Sequence, residues 1–430
     1  MIRKYAPGVP VTTNFMATNC LSPDYWAWSR EVDIVANDHY LVAERTDNHI
    51  LLSMDADLTR SLAGNRPWML MEHSASAVNW QGRNIAKRPG ELARNSLVHL
   101  ARGADAVMFF QFRASRYGAE KFHSAMLPHA GTGTRIWKEV LELGADLGKL
   151  SAVKGSTVHA RAAILWDVES FWAQDLEWRP SSDLDHRERI EAYYSVLWNQ
   201  GISVDFAHPE ADFSGYDLVL APALYLVGDA AAANLRGYVD GGGHLLVSYF
   251  SGIVDSNDTV PHGASPGALR DILGLEIHEF LPLRAGETVT LSGGGTGTAW
   301  SEEIHPGTAT VLETYISGPA TTLPALTRNE FGSGTAWYVS TKLDGDDLTA
   351  VVLDAARAAG LEPASGKAEG LEVVIRSTGT DAFTFLINHA DADAEYPATG
   401  IELITADAVT GTAQIPAGTV RVIHTHHGNA

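Results

Sequence analysis

The stretch from Trp68 to Trp80 constrains the fold most, because a short apolar run ends there at a carboxylate. Residues Trp68–Met71 are apolar, and Glu72 follows directly. Such a run predicts a buried strand, and in a βα barrel a polar residue at the C-terminal end of a strand faces the active-site mouth. Trp80 adds an aromatic ring in the same loop, and a carboxylate beside an aromatic ring fits a sugar-binding site. A surface ion pair of Glu72 is the alternative interpretation.

Length and composition indicate a globular protein of several domains. At about 150 residues per domain, 430 residues suggest roughly three. The chain has 31 basic and 52 acidic residues, and its net charge of −21 disfavours nucleic acid and anionic membranes as partners. The single cysteine, Cys20, can form neither an internal disulfide nor a thiolate metal cluster. With no signal-peptide pattern at the N-terminus, we expect a cytoplasmic protein.

Residues 1–155 alternate strand-like and helical patterns, which is typical of βα units around a parallel sheet. Between the third and fourth strands, Glu91–Ala101 is a predicted helix that follows Pro89-Gly90. Four βα units make half of an eight-stranded barrel, so we expect the N-terminal half of the barrel to be missing. The four predicted strands are Val9–Phe15, Val32–Ala36, Trp68–Met71 and Ala106–Phe110.

Residues 156–365 resemble a doubly wound α/β domain. The pattern predicts a strand over Val158–Trp166 and a helix over Asp185–Asn199 that begins with a capping box of Asp185 and Glu188. The apolar face of this helix must pack on a sheet or on a neighbouring subunit. That face consists of Ile190, Tyr193, Tyr194, Leu197 and Trp198.

Two further regions are rich in β patterns. The segment 281–341 is predicted to be a β-rich insertion in, or extension of, the second domain. Residues 366–430 contain short strands between Gly, Asp and Pro turns, which predicts a small antiparallel β-sandwich. The Gly-rich segments 241–243 and 293–295 match neither dinucleotide-binding nor Walker patterns, so we expect no cofactor.

Several polar residues outside the Glu72 loop are candidates for ligand binding. Glu120 and His123 are three residues apart and could hold two sugar hydroxyls, or equally cap a helix and satisfy neighbouring backbone. Asp38 and Tyr40 follow the second strand on the same presumed rim, although turn residues of this kind are common. His278, like the other isolated histidines of the second and third regions, is interpreted as structural, and we expect no metal site.

The chain resembles the β-galactosidases of glycoside hydrolase family 42 over most of its length. Many matches in the same order make this resemblance more specific than any single motif. The matching segments are Pro10–Met16, Asn37–Tyr40, Arg66–Glu72, Ser74–Trp80, Lys87–Glu91, Gly103–Asp105, Gly118–His123, Phe250–Asp255 and Pro266–Arg270.

This resemblance implies a three-part α/β fold: the C-terminal half of a (β/α)8 TIM barrel (strands five to eight), a trimerisation domain like glutamine amidotransferases, and a small antiparallel β domain. It implies a retaining enzyme that cleaves terminal β-D-galactosides, with Glu72 as the nucleophile at the end of strand seven. It also implies a homotrimer. The substrate-binding residues that it implies are Trp80, Glu120 and His123, with Asp38 and Tyr40 as further wall residues.

The sequence departs from the family pattern at the acid/base residue. The family's acid/base Glu, preceded by Asn at the end of strand four, has no counterpart before the first strand, and Asn329-Glu330 lies far downstream. We therefore expect the chain alone to be weakly active or inactive. The alternatives are a non-catalytic homotrimeric remnant and one half of a split enzyme with a complementing N-terminal barrel half. An amidotransferase is excluded because its nucleophilic Cys would belong in the second domain, where the chain has none.

Overall fold

The computed structural model describes residues 2–176 and 178–426 as two compact units. The first unit comprises the chain up to His159, the segment Trp198–Ser203 and the chain from Ala364 onward. The second comprises Ala160–Leu197 and Val204–Pro363. Among the described residues, no helix is both long enough and apolar enough to cross a membrane. The three domain boundaries set by the sequence stay a prediction.

A parallel four-stranded sheet forms the N-terminal part of the first unit. Its strands lie side by side in chain order, and helices connect them, as expected for consecutive βα units. The first strand is shorter than predicted, because Pro10 lacks an N–H to donate and the residues around it are mostly exposed. The strands are Asn14–Phe15, Ala36–Asp38, Trp68–Glu72 and Ala104–Val107.

Helices cover this parallel sheet. Glu91–Ala101 forms as predicted, and Leu97 and Val98 on its inner face are buried in the core with Leu52 of a neighbouring helix. Short 3-10 helices occur at Ala119–Phe122 and Leu150–Val153. The other helices of this part are Ile2–Tyr5, Tyr25–Ser29, Asn48–Leu62 and Arg135–Lys149.

The C-terminal part of the first unit is antiparallel β structure, in agreement with the prediction. A separate two-stranded ribbon pairs Ala394–Pro397 with Thr412–Ile415. Val374 and Phe385 of the large sheet pack into the same core as the barrel helices. In spatial order the six strands of the large sheet are Ala408–Val409, Gly400–Glu402, Val420–His426, Asp381–Asn388, Leu371–Ser377 and Thr157–Val158.

Two buried arginines connect this sheet to the barrel elements. Arg376 is fully buried and donates hydrogen bonds to the carbonyl oxygens of Leu100 (2.7 Å) and Ala104 (3.0 Å) and to Asp105 (2.8 Å). Leu100 belongs to the last turn of helix Glu91–Ala101, where backbone carbonyls lack partners within the helix. Arg376 therefore satisfies this helix end from the C-terminal sheet.

The second arginine, Arg102, follows the same helix. It donates to the buried carboxylate of Glu372 at 2.8 Å and also pairs with buried Asp57. Burial raises the pKa of Glu372, but Arg102 and His389 outweigh that effect and lower it to about 2. Glu372 is therefore ionised at every ordinary pH, and the buried charges are paired.

The second unit is built on a seven-stranded sheet. Its last five strands are parallel, and the three strands 162–165, 204–207 and 218–221 are buried at every position, so both faces of the sheet are covered, as in a doubly wound fold. In spatial order the strands are Thr310–Thr314, Pro324–Phe331, Gly334–Val339, His244–Ser248, Leu218–Ala221, Ala162–Leu165 and Val204–Ala207.

The predicted β-rich segment belongs to this unit. Its strand Gly334–Val339 lies next to His244–Ser248 in the main sheet, and two antiparallel ribbons extend from the unit. The ribbons are Leu275–Pro282 with Trp300–Pro306, and Thr288–Thr290 with Thr296–Thr298. The α-helices are Val168–Gln174, His186–Gln200, Asp229–Asp240, Arg270–Leu273 and Gly345–Ala358, with a 3-10 helix at Gly267–Leu269.

The predicted strand over Val158–Trp166 was wrong as one element. Thr157–Val158 pairs with Leu371–Ser377 in the first unit, whereas Ala162–Leu165 lies in the main sheet of the second. Between them, Arg161 is exposed and pairs with Asp217. Exposed Arg161 interrupts the apolar pattern, and Val158 and Ala162 on either side of it are buried in different units.

The predicted amphipathic helix forms over His186–Gln200, and Asp185 caps it by accepting from the Glu188 N–H at 3.1 Å. The whole predicted apolar face is buried within a single chain. Tyr194, for example, stacks on Phe206 of the main sheet. The alternative in which this face packs on a neighbouring subunit is therefore wrong.

Glu302 gives the second unit a pH-dependent stability. It is fully buried, and Trp300 and Tyr338 donate hydrogen bonds to its carboxylate at 2.9 and 2.8 Å. Burial raises its pKa to about 7 despite these hydrogen bonds. Since this pKa lies above that of an unfolded Glu, the folded state is favoured while Glu302 is protonated. That stabilisation is present below pH 4.5 and is lost as the pH rises toward 7.

We expect Glu302→Gln to remove this pH dependence. The free energy of unfolding of the wild type should fall relative to that of E302Q by about 3 kcal/mol as the pH rises from 4 to 8. Thermal unfolding followed by circular dichroism across this range measures the difference. Glu330→Gln, at an exposed position of the same unit, should follow the wild type. Parallel curves for wild type and E302Q would contradict the assignment.

Candidate active site at the carboxyl ends of the parallel strands

The site begins with two carboxylates on neighbouring strands. Asp38 ends strand Ala36–Asp38 and Glu72 ends strand Trp68–Glu72, and the parallel register pairs these two residues directly. The carboxyl ends of parallel strands meet at one edge of a sheet, where barrel enzymes hold their catalytic groups. Asp38 is buried and Glu72 is half-buried. Two acids therefore lie side by side at this edge.

Tyr40 connects Glu72 to the rest of the site. Its phenol donates a hydrogen bond of 2.7 Å to Glu72 Oε2, while the His39 N–H donates to the Glu72 backbone carbonyl at 3.0 Å. Burial and the neighbouring carboxylate of Glu72 raise the pKa of Tyr40, so the phenol stays protonated and remains the donor. Within the described part of the chain, Glu72 has no ion pair, and the surface ion pair considered above does not form.

Two further predicted residues pack against Tyr40. The Trp80 ring lies edge-on at 5.6 Å between ring centroids, and His123 lies at 6.0 Å. The Trp80 side chain is 56% exposed, which leaves apolar ring surface open to solvent beside Glu72. The predicted residues Glu72, Tyr40, Trp80 and His123 are therefore close together.

His123 and Glu120 differ in their environments. His123 is buried, and its Nδ1 lies 2.8 Å from the Ser124 carbonyl, so Nδ1 carries the proton and Nε2 is an acceptor in the neutral ring. Nε2 is buried with no protein partner. Glu120 is exposed on the 3-10 helix Ala119–Phe122, yet its charge is near enough to raise the pKa of Tyr40. The pair thus offers one buried nitrogen and one open carboxylate.

The carboxyl group of Asp38 is strongly affected by its surroundings. Burial, together with the charges of Glu72 and Asp55, raises its pKa to about 6 despite the lowering effect of a hydrogen bond from Asn14. That hydrogen bond joins Asn14 Nδ2 to Asp38 Oδ2 at 2.5 Å, while Asp38 Oδ1 is buried with no partner. Asp38 is thus partly protonated near neutral pH.

Sequence reasoning missed a supporting pair below Glu72. Lys87 is buried and its Nζ lies 2.8 Å from His73 Nε2, while His73 Nδ1 lies 2.9 Å from the His39 carbonyl. Burial lowers the pKa of Lys87 to about 7. This chain of contacts fixes the backbone of His39, which bonds to Glu72. The only indication of this pair in the sequence was that Lys87 lies in one of the segments that resemble the family.

The Asn329-Glu330 pair lies elsewhere. Asn329 is buried in strand Pro324–Phe331 of the second unit, where its amide donates to the Ile272 carbonyl at 2.8 Å. Asn329 therefore has a structural role in the second unit, as its position far downstream in the sequence suggested.

We expect Glu72→Gln to lower the pKa of Asp38. The substitution removes a negative charge that disfavours ionisation of its neighbour, whereas the burial of Asp38 is retained. NMR titration of the carboxyl carbons of labelled aspartates, assigned with Asp38→Asn, measures the shift. Glu120→Gln is the matched control, since Glu120 is not among the groups that shift Asp38. An unchanged midpoint in E72Q would contradict the coupling.

Comparison with known proteins gives consistent matches along the chain. Residues 1–150 match the family described as beta-galactosidase, residues 160–362 the beta-galactosidase trimerisation domain, and residues 370–424 the beta-galactosidase C-terminal domain.

Individual relatives agree with these matches. A beta-galactosidase from Arthrobacter sp. is 47% identical over 425 residues, which are 98% of this chain and 61% of the relative. The beta-galactosidase bgaB of Geobacillus kaustophilus is 40% identical over 91% of this chain and 58% of its own length. The crystal structure of beta-galactosidase from Bacillus circulans sp. alkalophilus has a TM-score of 0.94 and 33% identity, and covers 98% of this chain and 64% of that one.

The chain therefore spans about three fifths of the length of the relatives that it matches. The matched regions follow one another in the same order as the two parts of the first unit and the intervening second unit. This protein belongs to the β-galactosidases of glycoside hydrolase family 42.

Proposed function

We propose that the chain carries the nucleophile half of a retaining β-galactosidase site that cleaves terminal β-D-galactosides, with Glu72 as the nucleophile. The observation that carries this proposal is the position of Glu72 at a strand end, held by Tyr40 beside the exposed ring of Trp80. The similarity to beta-galactosidases along the chain supports the same activity.

In this mechanism, the Glu72 carboxylate attacks the anomeric carbon while an acid protonates the departing glycosidic oxygen. The resulting galactosyl ester is then hydrolysed by a water molecule that the conjugate base of the acid activates. The two carboxyl groups of a retaining enzyme are about 5 to 5.5 Å apart. The hydrogen bond from Tyr40 orients the Glu72 carboxylate. This hydrogen bond breaks as the ester forms.

The remaining site residues bind the galactose. Trp80 offers its open ring to the C–H face of the sugar, and the buried Nε2 of His123 accepts from a hydroxyl. The exposed carboxylate of Glu120 accepts a hydrogen bond from a second hydroxyl. Asp38 and Tyr40 form the wall next to Glu72. No cofactor enters these steps, and a cytoplasmic location stays a prediction.

The chain by itself should be a poor hydrolase of ordinary galactosides. No Asn-Glu pair precedes its first strand, so the acid has no assigned source in this chain. General acid catalysis typically contributes about a hundred- to ten-thousand-fold. Substrates with a good leaving group depend much less on that proton, because the departing anion is stable without it.

We therefore expect covalent labelling of Glu72 without efficient lactose hydrolysis. A 2-deoxy-2-fluoro-β-galactoside with a dinitrophenolate leaving group should form a stable ester, which peptide mass spectrometry locates at Glu72. Glu72→Gln should abolish labelling. Glu142→Gln, exposed on helix Arg135–Lys149, should label like the wild type. Labelling at another residue would overturn the assignment of the nucleophile, and rapid lactose hydrolysis by this chain alone would overturn its dependence on a missing acid.

A second candidate is a homotrimeric protein without activity, or one half of a split enzyme that pairs with an N-terminal barrel half. The match of residues 160–362 to a trimerisation domain favours assembly. We expect light scattering after gel filtration to give three times the mass of one chain. A monomer at micromolar concentration would contradict the homotrimer. Added barrel strands one to four that restore lactose hydrolysis would favour the split enzyme over the remnant.

A further inference from the structure

We infer that the ribbon of Leu275–Pro282 and Trp300–Pro306 holds a site for a divalent transition-metal ion of the zinc class. The ligands are His278, Glu303 and His305, whose donor atoms all lie within 4.8 Å of one another. The site belongs to the second unit and involves none of the proposed galactoside-binding residues. His278 is not isolated, as the sequence suggested, but lies beside Glu303 and His305.

The strand register explains why these side chains meet. Glu303 and His305 alternate with Ile304, which is buried in the core, so both face away from the core. On the partner strand, a β-bulge between Ile277 and Glu279 breaks the alternation. His278 and Glu279 are therefore both exposed in succession. His278 directly follows buried Ile277 and therefore lies on the solvent face with Glu303 and His305, and the bulge keeps Glu279 on that face as well.

The side chains already contact one another closely. The rings of His278 and His305 stack with their centroids 3.9 Å apart, and His305 Nε2 lies 2.8 Å from Glu303 Oε1. Ligand atoms around a tetrahedral zinc ion are about 3.3 Å apart, given zinc–nitrogen bonds of roughly 2.0 to 2.1 Å. Donor atoms that are now up to 4.8 Å apart need to approach one another by roughly 1.5 Å to reach that spacing.

The neighbouring charges favour a cation. Glu276 lies 3.3 Å from His278 Nε2 and can serve as a fourth ligand, and Glu279 adds another negative charge on the same face. Arg270 forms an exposed ion pair of 3.4 Å with Glu276 at the edge of this group. Three carboxylates therefore surround two imidazoles, against one peripheral guanidinium.

The donor set selects the class of ion. Two imidazoles with one or two carboxylates suit zinc, nickel or copper, whereas magnesium and calcium prefer oxygen ligands alone. Two ribbon strands held by one ion would resist separation. The bound metal should therefore stabilise the ribbon against unfolding.

The test is zinc titration of the full 430-residue chain by calorimetry. Because His424 and His426 both contact Asp381 near the C-terminus, the titration uses an H424Q/H426Q background to remove competition from that cluster. We expect one equivalent of zinc to bind at pH 7.5, with no competition from excess magnesium. His305→Gln should weaken the affinity at least tenfold.

Two further variants make the result decisive. His278→Gln should weaken zinc binding like H305Q, whereas His159→Gln, exposed in the first unit, should not. Unfolding midpoints in EDTA establish that each variant is folded, and only chains with an intact site should gain thermal stability from zinc. No zinc binding in the background chain, or equal affinity with and without His278 and His305, would overturn the proposal. Neither outcome bears on labelling of Glu72.

Discussion

Two buried arginines determine how the parts of the first unit fit together. Arg376 and Arg102 reach between the C-terminal sheet and the end of helix Glu91–Ala101, and their partners are backbone carbonyls and the buried carboxylates of Asp57 and Glu372. Removing one partner from such a buried pair typically costs about 3 to 5 kcal/mol, because the remaining charge is left without compensation. These contacts hold the end of helix Glu91–Ala101 and the start of strand Ala104–Val107 of the parallel sheet against the C-terminal sheet.

The proposed active site follows from that positioning. Once the parallel strands are paired, an irregularity between Asn37 and Asp38 places Asp38 opposite Glu72, and burial is the main cause that raises the pKa of Asp38 to about 6. Tyr40 donates to Glu72, and buried Lys87 supports the backbone behind it through His73. Such a site has its groups oriented before a ligand arrives, which is how enzymes reduce the cost of reorganisation.

The second unit carries different chemistry on a different scaffold. Its doubly wound sheet packs against helix His186–Gln200, and Tyr193 and Tyr194 of this helix are buried within one chain, so no neighbouring subunit packs on them. One face of the ribbon Leu275–Pro282 with Trp300–Pro306 packs into the core through Ile277 and Ile304. The other face carries polar side chains. A metal ion bound there would hold together two strands whose solvent face otherwise consists mainly of charged side chains.

Local sequence pattern was sufficient to predict three elements: the strand ending at Glu72, the helix Glu91–Ala101 and the capped helix that begins after Asp185. The similarity of ordered motifs also indicated the family. Two features followed only from tertiary structure: Val158 and Ala162 are buried in different units, and separate groups such as Lys87 and His73 come into contact. Tertiary structure also brought His278 to Glu303 and His305, because strand pairing sets which residues of two strands lie next to each other and no local pattern records the pairing partner.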